Sequence, residues 1–177
     1  MANIFCTKKL EKIIGKQNIS EQEINGLLGN WNANVFYANR KKFIFLINDR
    51  TCYSVIIPNF TKRDLPNFKD IFYDRFLDQL RYDNVTIDCK LVDKLVESSI
   101  NFLKTNNNRK VIGTMTQFIK DIEYFLYYQD EMQTLQELNH RMTNNLVTIF
   151  GTKKYDMDRP RELMQELIKK ATEEVYA

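Results

Sequence analysis

The sequence has few of the residues that build linkers, disulfide scaffolds or metal sites. Its 177 residues include only five glycines and three prolines, which excludes a fibrous chain or one rich in flexible linkers. Cys6, Cys52 and Cys89 are odd in number and form no C-x-x-C pair, so we expect reduced thiols that fill the core. With one histidine and three scattered cysteines, none of the usual zinc-ligand spacings occurs, and no metal is expected.

Strong charge and long apolar runs are absent as well. The formal net charge of +3 is too small for a dedicated nucleic-acid-binding domain, so any basic function must be local. No apolar run approaches the roughly 18 residues of a membrane span, and the first ten residues do not have the pattern of a signal peptide. We therefore expect a soluble, cytoplasmic protein with no membrane partner.

Signatures of catalysis and of cofactor binding are missing. The G-x-x-x-x-G-K-[ST] and G-x-G-x-x-G patterns do not occur, so no cofactor is expected. His140 lies on a predicted helix without a Ser or Cys partner, which favours a solvated or capping role over that of a general base. The aspartates form no paired-carboxylate pattern. The sequence therefore favours a protein that is not an enzyme.

Apolar residues are plentiful, and one stretch organises them. Hydrophobic residues make up 44% of the chain, enough at this length for one compact domain. Three β-branched and aromatic runs, separated by two tight turns, predict an antiparallel three-stranded meander: Asn34–Ala38, Lys42–Ile47 and Thr51–Ile57. The middle run is apolar at every position from Phe43 to Ile47, so helices should cover both of its faces.

Helical periodicity surrounds this meander. Apolar spacing predicts one helix over Phe68–Leu80, after Pro66, and a longer one over Val111–Leu126. A terminal helix should begin with Pro160 in its first turn. A weaker stripe predicts a further helix through Leu135, Leu138, Met142, Leu146 and Ile149.

The remaining elements are short. Asn3–Cys6 and Ile100–Phe102 are predicted strands, and Thr7 is placed to cap a short helix that follows the first of them. Ser20–Glu23 fits a capping box and predicts a second short helix ending at Gly29. The fold class is thus α+β, a small antiparallel sheet packed by helices, with a core over residues 1–128 and a helical C-terminal extension over residues 129–177.

The most informative feature is a pair of basic strand-to-helix junctions. The first basic junction, Cys6–Leu10, and the second, Lys104–Val111, each place two cations in the first turn of a helix. The helix dipole already makes that end positive, so an exposed cation there costs about 0.3–1 kcal/mol while an anion is stabilised by a similar amount. A phosphate or carboxylate would relieve this, accepting backbone N–H groups and pairing with the side chains. The alternative is that the long side chains bend into water and bind nothing.

The candidate ligand-binding residues follow from these junctions. Charge would come from the cations, and backbone donors from the neighbouring polar residues. The set is Thr7, Lys8, Lys9, Lys104, Asn107, Asn108, Arg109 and Lys110.

A further basic cluster lies at the first turn of the meander. It contains Arg40 and Lys42, close in sequence to Trp31 and Tyr37. Cations interleaved with aromatic rings suit single-stranded nucleic acid or a nucleotide base. Alternatively, the cations protect a strand edge and Trp31 anchors the core.

Four segments are similar to an uncharacterised bacterial family, a domain of unknown function. They are C-T-K-K-L at Cys6–Leu10, W-N-A-N-V-F at Trp31–Phe36, R-K-K-F-I-F-L-I-N at Arg40–Asn48, and K-T-N-N-N-R-K-V-I-G-T-M at Lys104–Met115. The last resembles the family's K-T-N-N-R-S-V-L-G-S-M-N segment. The resemblance implies a small α+β intracellular protein of bacteria or their mobile elements, with no known activity.

These observations leave two functional hypotheses of different classes. The first is a non-enzymatic module that binds a phosphate-bearing ligand, either a nucleotide or a nucleic-acid backbone, at the two basic junctions. The second is a regulatory or inhibitory protein that binds a protein partner, or a second copy of itself, through its C-terminal helices. An exposed apolar stripe formed by Met157, Leu163, Met164 and Leu167 would serve the second. A hydrolase of nucleic acid would need carboxylates beside the basic junctions.

Overall fold

The computed structural model describes residues 2–128, 134–148 and 157–177. Within these ranges the strands are β1 Ala2–Cys6, β2 Ile19–Ser20, β3 Trp31–Ala38, β4 Lys41–Asn48, β5 Ser54–Pro58, β6 Ile100–Lys104, β7 Val147–Thr148 and β8 Met157–Asp158. The α-helices are α1 Lys8–Ile14, α2 Phe68–Tyr82, α3 Cys89–Glu97, α4 Arg109–Tyr128, α5 Leu135–Asn144 and α6 Pro160–Tyr176. A 3₁₀ segment, Lys62–Asn67, contains Pro66 and precedes α2.

The main sheet has the strand order β2-β6-β1-β3-β4-β5. Strands β3, β4 and β5 form the predicted antiparallel meander, which is confirmed. The sheet continues beyond it and becomes mixed, because β1 pairs in parallel with both β3 and β6, and β2 pairs in parallel with β6. Strands β7 and β8 form a separate antiparallel pair.

Strand β4 is apolar from Phe43 to Ile47, and these residues are covered on both faces of the sheet. Ile44 and Leu46 lie in a first apolar layer with α1, α2, α3 and α6. Phe43, Phe45 and Ile47 lie in a second apolar layer with α4 and α5. Each such side chain contributes about 1.5–3 kcal/mol on full burial. The two helices predicted to cover the meander are thus confirmed.

Trp31 anchors the first layer. Its ring is buried and makes edge-to-face contacts with Phe72 and Phe76, at centroid distances of 5.2 and 5.4 Å. It therefore offers no face on which a base could stack. The hypothesis that Trp31 stacks on a base beside Arg40 and Lys42 is therefore wrong.

The segment after α1 does not form the predicted second short helix. Ile19 and Ser20 pair with β6 instead, and Ser20 Oγ accepts from Gln22 N in place of a capping box with Glu23. The buried Asn3 side chain then binds the backbone on both sides: Asn3 Nδ2 donates to Ile24 O at 2.7 Å, and Ile24 N donates to Asn3 Oδ1 at 3.0 Å. Because the backbone N–H and C=O groups of Ile24 both bond to Asn3, the segment before Gly29 has no regular secondary structure.

The terminal helix belongs to the core. Pro160 occupies the first turn of this helix, as predicted. The prediction of an exposed apolar stripe is wrong, since Met164 is 0% exposed and lies in the first layer with Ile168 and Ala171. Leu163 and Leu167 are partly buried against the two layers, and only Met157 is largely exposed, at 55%. Helix α5 ends at Asn144, before Leu146, and Ile149 lies outside the described residues.

The three thiols differ in their surroundings. Cys6 and Cys52 are buried, and burial raises both thiol pKa values, that of Cys52 to about 12. Cys89 begins α3 and is exposed, so the expectation that all three fill the core is wrong for this residue.

A thiol titration tests this packing. Because the thiolate is the reactive form, only Cys89 should react with a disulfide reagent in the native protein, giving about one equivalent, whereas urea should release all three. The Cys89→Ser variant should give no fast reaction. Rapid labelling of that variant before unfolding would contradict the burial of Cys6 and Cys52.

Candidate functional site

The two basic junctions lie side by side at the carboxyl ends of β1 and β6. Strands β1 and β6 are parallel neighbours, and Cys6 is the register partner of Lys104. Neighbouring strands are about 4.8 Å apart, so the chain leaves the sheet at Thr7 and at Thr105 from adjacent positions. The structure thus brings together two segments that are nearly a hundred residues apart in sequence.

The helices that follow the two junctions diverge. Helix α1 packs through Leu10 and Ile14 in the first apolar layer, whereas α4 packs through Val111 and Met115 in the second. When neighbouring parallel strands send their helices to opposite faces, a crevice opens beyond the strands' carboxyl ends. Open α/β sheets commonly bind ligands in that crevice.

Local contacts hold the first junction in place and leave its lysines exposed. Thr7 occupies the cap position of α1, yet its Oγ1 donates to Asn34 Oδ1 at 2.7 Å rather than capping the helix. Lys8 and Lys9 are exposed, and Lys9 Nζ lies 5.0 Å from the centroid of the Tyr37 ring. Glu11 supplies one carboxylate in the first turn of α1, so the dipole there is partly compensated.

The second junction is ordered by its own side chains. Asn108 caps α4, its Oδ1 accepting from Val111 N at 3.4 Å. The backbone N–H groups of Asn107 and Asn108 bind the side chains of Thr105 and Asn106, at 3.2 and 3.1 Å. These two N–H groups are therefore occupied, which corrects the expectation that they would bind an anion directly. The exposed side chains of Arg109 and Lys110 remain, in a first helical turn without an acidic residue.

The junction cations are not neutralised by neighbouring carboxylates. Across residues 2–128, 134–148 and 157–177, no Asp or Glu oxygen lies within 4.0 Å of a side-chain nitrogen of Lys8, Lys9, Lys104, Arg109 or Lys110. Positive charge thus accumulates at this edge.

The cluster at the first meander turn lies farther along the sheet. Cys6 pairs with Ala33, and β3 continues to Ala38, about 16 Å farther at about 3.3 Å per residue. Arg40 is exposed and Lys42 is half-buried, beyond the ends of β1 and β6. Lys42 is nevertheless the register partner of Tyr37, whose ring lies 5.0 Å from Lys9 Nζ, so this cluster reaches the first junction through Tyr37.

A groove runs beside the first half of α4. Its volume is about 550 Å³, and two of the junction cations form part of its wall. The lining residues are Arg109, Lys110, Gly113, Thr114, Gln117, Phe118, Leu146, Val147 and Met157.

A buried polar cluster around Asp83 was not predicted from the sequence. Its carboxylate is fully buried and accepts hydrogen bonds from Tyr53 Oη at 2.6 Å, Gln79 Nε2 at 3.0 Å and Thr143 Oγ1 at 3.1 Å. Burial and the Asp83 charge together raise the pKa of Tyr53. No sequence pattern marks these residues, because they come from the segment just before β5, from α2 and α5, and from the turn after α2.

His140 belongs to this cluster. Its Nδ1 donates to Asp83 Oδ1 at 2.6 Å, while Asn144 Nδ2 donates to its Nε2 at 2.9 Å. The histidine is therefore held on both sides, and the prediction of a solvated or capping role is wrong. Since Asn144 occupies Nε2, the dyad presents no free nitrogen to a substrate. Its role is to fasten α5 to α2 and β5.

Two further features bear on cofactors and membranes. In the described part of the chain, no group of three or more His, Cys, Asp and Glu side chains is arranged to hold a metal ion. None of the helices found there is both long and apolar enough to span a bilayer.

Comparison with known proteins agrees with the family resemblance. A family model described as Domain of unknown function (DUF6933) matches residues 3–163. The match includes both basic junctions and all of the main sheet except Ala2. No curated protein matches the chain.

The Asp83 cluster predicts that substitutions of two nearby aspartates differ greatly in their effect on the stability of the protein. Asp83→Asn should lower the free energy of unfolding by about 3 kcal/mol, because a buried charged acceptor with several donors is replaced by a neutral amide. Asp78→Asn, which removes only a surface pair with Arg81, should change it by less than about 0.5 kcal/mol. Urea unfolding followed by circular dichroism measures both, and equal midpoints would contradict the role given to Asp83.

Proposed function

Because the chain belongs to the Domain of unknown function (DUF6933) family, whose description names no activity, we propose its function from geometry alone. The protein is a non-enzymatic module that binds a phosphate-bearing ligand at the edge where β1 and β6 end. One observation carries this proposal: two separate basic junctions follow neighbouring parallel strands whose helices pack on opposite faces, and no carboxylate among the described residues pairs with their cations.

The side chains suit a phosphate better than a carboxylate. Arg109 can donate two parallel hydrogen bonds to phosphate oxygens, while Lys8, Lys9 and Lys110 supply compact charges. A terminal phosphate group carries more negative charge than a carboxylate and has three terminal oxygens to share among several donors. The cations that the two junctions supply therefore suit its charge and its number of acceptors.

Local charge, rather than net charge, drives this binding. The formal net charge of the chain is only +3, so weak attraction of anions to the whole surface is not expected. Affinity should instead depend on particular cations, and it should fall with salt in proportion to the few pairs formed.

Calorimetry tests the proposal. Wild type should bind members of a panel of inorganic phosphate, nucleoside mono- and triphosphates and short oligonucleotides. The double variant Lys9→Ala/Arg109→Ala should bind the best of them at least roughly tenfold more weakly, since each hydrogen bond from a charged group contributes about 1.5–3 kcal/mol. Lys12→Ala/Lys120→Ala is the matched control, because both lysines are exposed on the same two helices away from the junctions.

The outcomes separate clearly. Equal heats for wild type and Lys9→Ala/Arg109→Ala, or an equal loss in the control, would remove the proposal. Affinity that rises with oligonucleotide length and falls steeply with salt would identify a nucleic-acid backbone as the ligand. Preference for a mononucleotide would identify a small molecule.

A further inference from the structure

The groove beside α4 has the size and composition of a small-molecule site. Its volume of about 550 Å³ lies within the roughly 300–1,000 Å³ usual for such sites. One wall is the side of α4, and the other comes from Leu146 and the β7–β8 pair. Phe118 and Val147 are nearly buried, whereas Leu146 and Met157 are 57% and 55% exposed. The groove thus offers apolar surface accessible to solvent.

Charge is distributed unevenly along the groove. Arg109 and Lys110 lie in the first turn of α4 and the apolar side chains lie beyond them, and the described part of the lining contains no carboxylate. The other polar groups are neutral: Gln117 Nε2 donates to Asp121, which leaves its carbonyl oxygen to accept, and Thr114 Oγ1 donates to Lys110 O. A complementary ligand is therefore negative at one end and flat or apolar over the rest, with N–H donors on its edge.

Gly113 keeps this groove open. Within a helix, glycine costs about 1 kcal/mol relative to alanine, so the fold gains nothing from it there. A Cβ added at Gly113 would meet no atom within 4 Å, so close packing does not require the glycine either. It lies between the cations and the apolar lining, where any larger side chain would enter the groove.

The arrangement fits a small molecule better than a polymer. A nucleic-acid backbone carries a charge at every nucleotide and needs cations spaced along its path. Among the described residues that line this groove, the cations are confined to one end. The lining beyond them is apolar or neutral and suits one organic body.

We propose that the α4 groove receives the organic part of a small phosphate ester of about mononucleotide size, whose phosphate is held by Arg109 and Lys110. This inference rests on the proposed function and extends it from the phosphate group to the class of ligand. Thr114 and Gln117 then supply acceptors for edge N–H groups, and Phe118, Leu146, Val147 and Met157 contact the flat or apolar body.

A steric block at Gly113 tests the groove separately from the charge. Gly113→Leu should fill the groove and weaken binding of the best nucleoside monophosphate by roughly tenfold or more in calorimetry. Its Tm should equal or exceed that of wild type, because leucine is the better helix former and meets no atom there. Thr116→Leu is the matched control, since it adds similar bulk to an exposed position of α4 outside the groove lining, and it should leave affinity unchanged.

Every outcome of this experiment decides the inference. Wild-type nucleotide affinity in Gly113→Leu, together with weakened binding in Lys9→Ala/Arg109→Ala, would overturn the groove and leave the proposed function standing. Equal affinity of wild type for inorganic phosphate and for the nucleotide, or tighter binding of an oligonucleotide, would also overturn it. No binding of any phosphate compound by wild type would refute the proposed function itself, and the inference with it.

Discussion

The parallel pairing of β1 with β6 is the constraint on which the candidate site depends. It joins the start of the chain to a strand about a hundred residues later and sets Cys6 opposite Lys104. Because the two strands run in the same direction, both basic junctions emerge at the same edge. An antiparallel pairing would have placed them at opposite ends of the sheet. The crevice also depends on a second feature, the packing of α1 and α4 on opposite faces of the sheet.

Buried polar side chains hold the irregular parts of this fold in place. Asn3 fixes the backbone at Ile24, Asn48 Nδ2 donates to Leu28 O, and Asp83 collects donors from three elements. Leaving such a group unpaired costs about 1–3 kcal/mol, so these contacts favour one path of the chain over others. They replace the regular hydrogen bonds that local sequence would suggest. The predicted helix before Gly29 failed for this reason.

Much of the architecture could be predicted because the signals are local. Apolar runs and turn residues predicted the meander, periodicities of three and four residues predicted α2 and α4, and Pro160 predicted the start of α6. Periodicity shows that a helix has an apolar face but not what covers it. Periodicity therefore predicts an exposed apolar stripe at Met164, although the first apolar layer of the protein buries this residue. His140 was misjudged similarly, since its partner Asp83 is distant in sequence.

The sequence by itself determined the α+β class, the family resemblance and the identity of the basic residues, because these depend on residue type and short-range spacing. Tertiary structure alone decided that the two junctions are neighbours, that Lys42 lies across from the Tyr37 ring that Lys9 contacts, and that a groove opens beside Gly113. Strand order, strand direction and helix face are set by contacts between residues far apart in the chain. Such contacts reflect the best joint burial of all the apolar faces, which no single segment contains.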